Sequence, residues 1–390
     1  MNTFFYPLQK LNGFERAKEC LDTGKTCQVT GCADSQLAHF ITGLSDGYKN
    51  KVIVTFSGTK AKELYEDLKA FDKNVVLYPA KDFIFFSADV HGNVILQQRL
   101  ECIKKLVEDK PCTIVTTADG LMDKIMPLDR IKENVLEISE GSIIEMDAIR
   151  HKLVQMGYEG AEQVESPGQF AIRGSIIDIY TLTDEVPYRI DMWDDEVDII
   201  KSFEVETQRS IENLEKITIY PATDYVLTKE EIRAGIDKIK KDLKKNSEAL
   251  RKQFKTEEAH RLEVIIKEFI DNEEINENGM SFDSYVNYFY DGMVSFIDYL
   301  KDAAFFIDEP KRVDEQMKAV ETEFRDSMSN RLEKGYVLPG QTDIVWSRKT
   351  IESKLDSVKK VLFTSLDQTV KNFTVDEIAS VEAKTISPYE

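Results

Sequence analysis

Residues Gly168 to Ile200 read GQFAIRGSIIDIYTLTDEVPYRIDMWDDEVDII. Side chains along a strand point to opposite faces in turn, so a period of two identifies a sheet with two unlike faces. From Val186 to Trp193 the even positions Val186, Tyr188, Ile190 and Met192 are apolar. The odd positions Arg189, Asp191 and Trp193 make the opposite face. The stretch therefore predicts a β-meander. An Arg and a Trp four residues apart on an outer face are good anchors for a partner protein. The competing reading is that a helix of the same domain covers Trp193.

On either side of the meander the pattern changes. Upstream, strand-like and helix-like segments alternate. Cys27–Thr30, Lys51–Phe56, Asn74–Tyr78 and Cys112–Thr116 are strands of the buried type, and Thr59–Phe71 and Leu96–Glu108 have helical spacing. Such alternation predicts a parallel sheet with helices on its faces. After Pro127 a helix over Ile144–Met156 is followed by consecutive strands to Ile219, which predicts a separate antiparallel α+β domain. Thr228 and Glu231 form a capping-box pair that opens a helical region reaching about Asn272. A further helix is expected over Phe282–Tyr299, then a buried strand at Ala303–Ile307 and a last strand at Val361–Thr364 in a mainly helical remainder. The expected domains are 1–127, 128–218 and 219–390, the first and third being two segments of one α/β unit.

Composition narrows the function. A chain of 390 residues is long enough for two or three cored domains. No apolar run reaches the ~20 residues that span a bilayer, and the first residues lack the basic start and small-residue cleavage site of a signal peptide. The five cysteines are scattered, with no CxxC pair, which suggests reduced thiols and a cytoplasmic location. Four isolated histidines give no metal site. The net charge of −20 repels a phosphate backbone and predicts weak or no nucleic-acid binding. One local exception is conceivable, the Lys-rich helix Lys238–Lys255, although acids interrupt it.

Two stretches invite a nucleotide. Gly24-Lys25-Thr26 precedes its strand and lacks the first P-loop glycine, so it is a turn. Val29 to Ser35 is better placed, after a strand and before a helix. Gly31 and Ser35 fit a phosphate loop, but Asp34 stands where the lysine belongs and sets repulsion against a triphosphate. Asp308 and Glu309 end an apolar strand where a Mg²⁺-binding acid pair sits in ATPases. With no working loop opposite them, they are expected to be an acidic turn. No catalytic residue is assigned.

The chain resembles the amino-terminal UvrB-homology module of bacterial transcription-repair coupling factors, the Mfd family. The matching residues are Arg173-Gly174, Asp178, Pro187 to Asp191, Phe203 to Ser210, Val52 to Leu68 and Phe305 to Pro310. The resemblance implies a degenerate RecA-like domain in two segments with an α+β insert that binds the repair protein UvrA. Arg173, Arg189 and Trp193 match the family's UvrA contacts. Phe86–Gln97 is too short for the hairpin that UvrB threads between DNA strands. The resemblance further implies that no cofactor is bound here. An RNA-polymerase-binding domain and a motor using ATP and Mg²⁺ on double-stranded DNA would lie beyond Glu390 in a longer parent. The alternative class is a divergent nucleotide-dependent DNA remodelling enzyme using Asp308 and Glu309. A third reading has the insert masked by another part of the parent.

Overall fold

The computed structural model describes residues 5–32, 34–81, 89–275, 282–366 and 369–381. The first part alternates as the spacing predicts: α1 (Asn12–Thr23), β1 (Cys27–Thr30), α2 (Asp34–Leu44), β2 (Asn50–Thr55), α3 (Gly58–Lys69), β3 (Val75–Tyr78), α4 (Asp89–Val107), β4 (Cys112–Thr117), α5 (Ala118–Met122) and α6 (Leu128–Lys132). The insert follows: β5 (Leu136–Ser139), α7 (Met146–Gln155), β6 (Glu159–Gly160), β7 (Gln169–Arg173), β8 (Ile176–Ile179), β9 (Tyr188–Trp193), β10 (Glu196–Phe203), β11 (Ser210–Leu214) and β12 (Lys216–Ile219). The last part holds α8 (Lys229–Lys252), α9 (Thr256–Ile275), α10 (Val286–Phe289), β13 (Ala304–Asp308), α11 (Pro310–Glu333), α12 (Arg348–Asp356), β14 (Lys360–Thr364) and β15 (Glu377–Ser380).

Strands from both ends of the chain share one parallel sheet, in the order β15-β1-β14-β13-β2-β4-β3. Its central strands are buried along their length, which is why they read as continuous apolar runs. The insert is a six-stranded sheet, β11-β10-β9-β8-β7-β6, antiparallel except for the β6–β7 pair. Its first and last strands, β5 and β12, pair with each other as a two-stranded ribbon. The ribbon brings the chain back to the parallel sheet where it left. No helix among the described residues is long and apolar enough to cross a membrane.

Charged groups weld the insert to the parallel sheet. Arg99 of α4 is fully buried and donates to Asp123 at 2.5 Å, to Asp224 at 3.3 Å and to the Pro79 carbonyl at 2.9 Å. Lys81 donates to Asp224 at 2.7 Å and to Asp283. Asp224 lies just beyond the exit strand β12, and Lys81 and Asp123 follow β3 and α5. Burial pushes the Asp224 carboxyl up, but the Lys81 ammonium and Arg99 guanidinium outweigh it and hold it below its ordinary range. Burial dominates at Asp123 and pushes it up to about 6 against the pull of the same cations.

Two expectations are corrected. Residues 282–299 form no continuous helix: two single 3₁₀ turns flank α10, and Val294 bridges to Ile125. The aromatic density there fills the core as separate anchors, such as Phe296 stacked on Tyr78 with centroids 3.6 Å apart. The helical region expected after Thr228 is present, as two helices that meet at Phe254, whose φ is +62°. The capping box at Thr228 and Glu231 is formed. Finally, Glu377–Ser380 is a strand, which its sequence did not announce.

Candidate functional site: an open sheet face and a closed nucleotide position

The meander splits its residues between two faces. Phe170, Ile177, Ile179, Ile190, Val197 and Ile200 are buried against α7 and its neighbours. Burying each such side chain contributes about 1.5–3 kcal/mol. This inner face pins the register, because a slip of one residue would put the apolar set in water. Among the described residues, no helix covers the opposite face where Trp193 stands. Trp193 is 78% exposed, so the reading that a helix of its own domain covers it is overturned. It sits at the end of β9 opposite Glu196, and the tight turn between them puts Asp194 at φ +60°. Beside it on the same face, register places Ile176, Asp191 and Ile199 in one row across three strands. Ile211, on the edge strand β11, is 56% exposed.

The two arginines meet on one carboxylate. Asp178 is fully buried and lies opposite Arg189 in the β8–β9 pairing. Arg189 grips it with two bonds, Nε to Oδ1 at 2.7 Å and Nη2 to Oδ2 at 2.8 Å. Arg173 adds Nη2 to Oδ2 at 2.5 Å. Arg189 also donates to the Gln208 side chain at 2.8 Å and lies over the Phe203 ring at 4.3 Å. A buried carboxylate needs such compensation. Arg189 was expected, with Arg173 and Trp193, to contact UvrA; here most of its N–H donors are turned inward, to Asp178 and Gln208. Arg173 keeps 40% of its side chain exposed and has donors left for a partner. Asp191 is paired with Lys201 at 2.6 Å. The Asp178 clamp escaped the sequence reading because it depends on cross-strand register. An Asp inside the apolar run Ile176-Ile177-Asp178-Ile179 was the available signal.

At the position read as a degenerate nucleotide site, the described polar groups bond within the chain. Gly31 has φ +78° and donates its N–H to the Thr364 carbonyl at 3.0 Å. A phosphate loop aims such amides at the ligand. β15 lies alongside β1, Val381 donates to the Thr30 carbonyl at 2.8 Å, and Thr30 and Ser380 hydroxyls meet at 3.1 Å. A Cβ on Gly31 would lie 2.6 Å from the Val381 carbonyl oxygen. The backbone of Asp34 begins α2, while the side chains of Asp34 and Ser35 lie outside the described residues. Of Phe86–Gln97, the segment expected to be too short for a UvrB hairpin, residues 86–88 also lie outside the described residues, and the backbone of 89–97 belongs to α4. Asp308 accepts from Thr55 at 3.1 Å. Glu309, at φ +51°, accepts from the Ser365 N–H at 2.6 Å.

Comparison with known proteins agrees with this geometry. Residues 136–225 match the family model of the UvrB interaction domain, so the inserted sheet is a domain of that class. The chain is 31% identical over 314 residues to the transcription-repair-coupling factor of Bacillus subtilis (strain 168), covering 80% of this chain and 26% of that protein. It is 30% identical over 318 residues to the one from Staphylococcus epidermidis (strain RP62A), covering 80% and 27%. It is 27% identical over 368 residues to the one from Staphylococcus aureus (strain Mu50), covering 93% and 31%. The chain is a UvrB-homology module of the transcription-repair-coupling-factor family. It spans between a quarter and a third of the length of these relatives.

Proposed function

We propose that this chain is a non-catalytic docking module that recruits UvrA through the outer face of its inserted sheet. The observation that carries the proposal is Trp193, 78% exposed on a sheet face that its own domain leaves bare. A large aromatic in that setting gains most by being buried in a partner. Arg173 supplies the charged contact beside it. Arg189 acts one step back, by holding Asp178 and with it the shape of the face. The nucleotide position argues against catalysis, because the loop amide of Gly31 and the carboxylate of Glu309 are bound to backbone.

The relatives are named as coupling transcription to repair. In a longer parent, this module would bring UvrA to a site where other domains displace stalled RNA polymerase by ATP- and Mg²⁺-driven movement along double-stranded DNA. Two measurements test the docking role. Size-exclusion chromatography with UvrA is expected to give a co-eluting complex without nucleotide. A thermal-shift titration with ATP and Mg²⁺ is expected to leave the melting temperature unchanged. Separate elution would contradict recruitment, and an ATP-dependent shift would favour the enzyme reading.

A further inference from the structure

We propose that the outer face of α8 and the tip joining it to α9 bind a DNA backbone next to an unpaired base. In a chain of net charge −20, α8 alone carries nine Lys or Arg against five Asp or Glu. Helix geometry sets Lys241, Lys244, Lys245 and Lys252 on one stripe, opposite the buried Ile236, Ile239, Leu243 and Ser247. All four lysines are exposed and make no ion pair among the described residues. Glu248 interrupts the stripe without cancelling it. Its length is about 16 Å at 1.5 Å per residue. At roughly 3.4 Å per phosphate along one strand, that reaches four or five phosphates.

At the end of the stripe stands Phe254, 95% exposed and held at φ +62° in the turn between the helices. Lysines that track a backbone and an aromatic that receives a base are the two parts of a single-strand binding surface. An acidic protein would also satisfy the lysines, and a preference for an unpaired base that depends on Phe254 separates DNA from it. The net charge opposes binding at long range, so attraction is confined to about a Debye length, ~10 Å at 0.1 M salt, and falls steeply with salt.

Fluorescence anisotropy with a labelled duplex bearing a single-stranded tail tests this on the whole chain. Binding at low salt is expected, with log K falling against log salt at a slope of about −3. Changing Lys241, Lys244 and Lys245 together to Glu is expected to lower affinity at least ~10-fold and flatten the slope. Phe254→Ala is expected to weaken the tailed duplex about 5-fold and leave a fully paired duplex unaffected. These positions are exposed, so melting temperatures should not move. Absence of salt-dependent binding by the unaltered chain, or an unaffected triple variant, would overturn the proposal. Equal affinity for labelled polyglutamate would overturn it in favour of an acidic protein partner. An inert Phe254→Ala would remove the unpaired base from it.

Discussion

The end of β1 and the outer face of the inserted sheet are built in opposite ways. At β1 the chain turns on itself: β15 adds to the edge, and the Gly31 amide and the Glu309 carboxylate bond to backbone. On the inserted sheet the chain holds back, leaving Trp193 and Ile211 in water. A site that has lost its ligand can be filled by the protein's own polar groups. A large apolar side chain such as Trp193, kept in water against the hydrophobic effect, points to a partner. The contrast also separates the arginines. The buried Asp178 turns Arg189 into a support and leaves Arg173 at the rim.

The largest effect is expected at Asp178→Ala, which strands two arginines without their carboxylate. Loss of a buried charge partner costs about 3–5 kcal/mol. Urea unfolding should show that loss, together with weakened UvrA binding although Trp193 is untouched. An unchanged midpoint would mean that the clamp does not hold the face.

A somewhat smaller effect is expected at the weld. Asp224→Asn removes the carboxylate shared by Lys81 and Arg99, at a cost of about 3 kcal/mol. Its pH dependence has a definite sign. The folded carboxyl titrates below its unfolded value. Its stabilisation is therefore present above about pH 4 and is lost as pH falls through the folded value. Asp123, pushed up to about 6, works the other way, its contribution weakening as pH rises from about 4 to 6. Melting temperatures across the acid range should fall less steeply for Asp224→Asn than for the unaltered chain. Parallel curves would exclude Asp224 as a titrating contributor.

Gly31→Ala is expected to cost about 1–2 kcal/mol from the left-handed backbone, and more because the Val381 carbonyl oxygen, 2.6 Å from the added Cβ, is backbone and must shift. Calorimetric melting would show it, with UvrA affinity unchanged. A variant that lost UvrA binding while still folded would put the closed pocket back into the function.

Much of this was legible in the sequence, for identifiable reasons. Buried strands such as Cys112–Thr117 are apolar or β-branched throughout, and the alternation in Tyr188–Trp193 follows from the pleat. β15 was missed because Glu377-Ile378-Ala379-Ser380 has one buried residue and owes its conformation to pairing with β1. The false helix at 282–299 arose because core aromatics at irregular spacing imitate a helical stripe. Whether Trp193 was covered depended on which elements pack on the outer face, a tertiary fact that no strand pattern contains. The Asp178 clamp needed the register of β8 on β9.

We expect function to lie on the open face of the inserted sheet and not at the end of β1. Isothermal titration of UvrA into the unaltered chain and into Trp193→Ala tests it most directly. A buried aromatic anchor contributes about 2 kcal/mol or more, so affinity should fall at least ~30-fold. The melting temperature should stay the same, because the side chain is 78% exposed in the free chain. Equal affinities for the two proteins would contradict the claim.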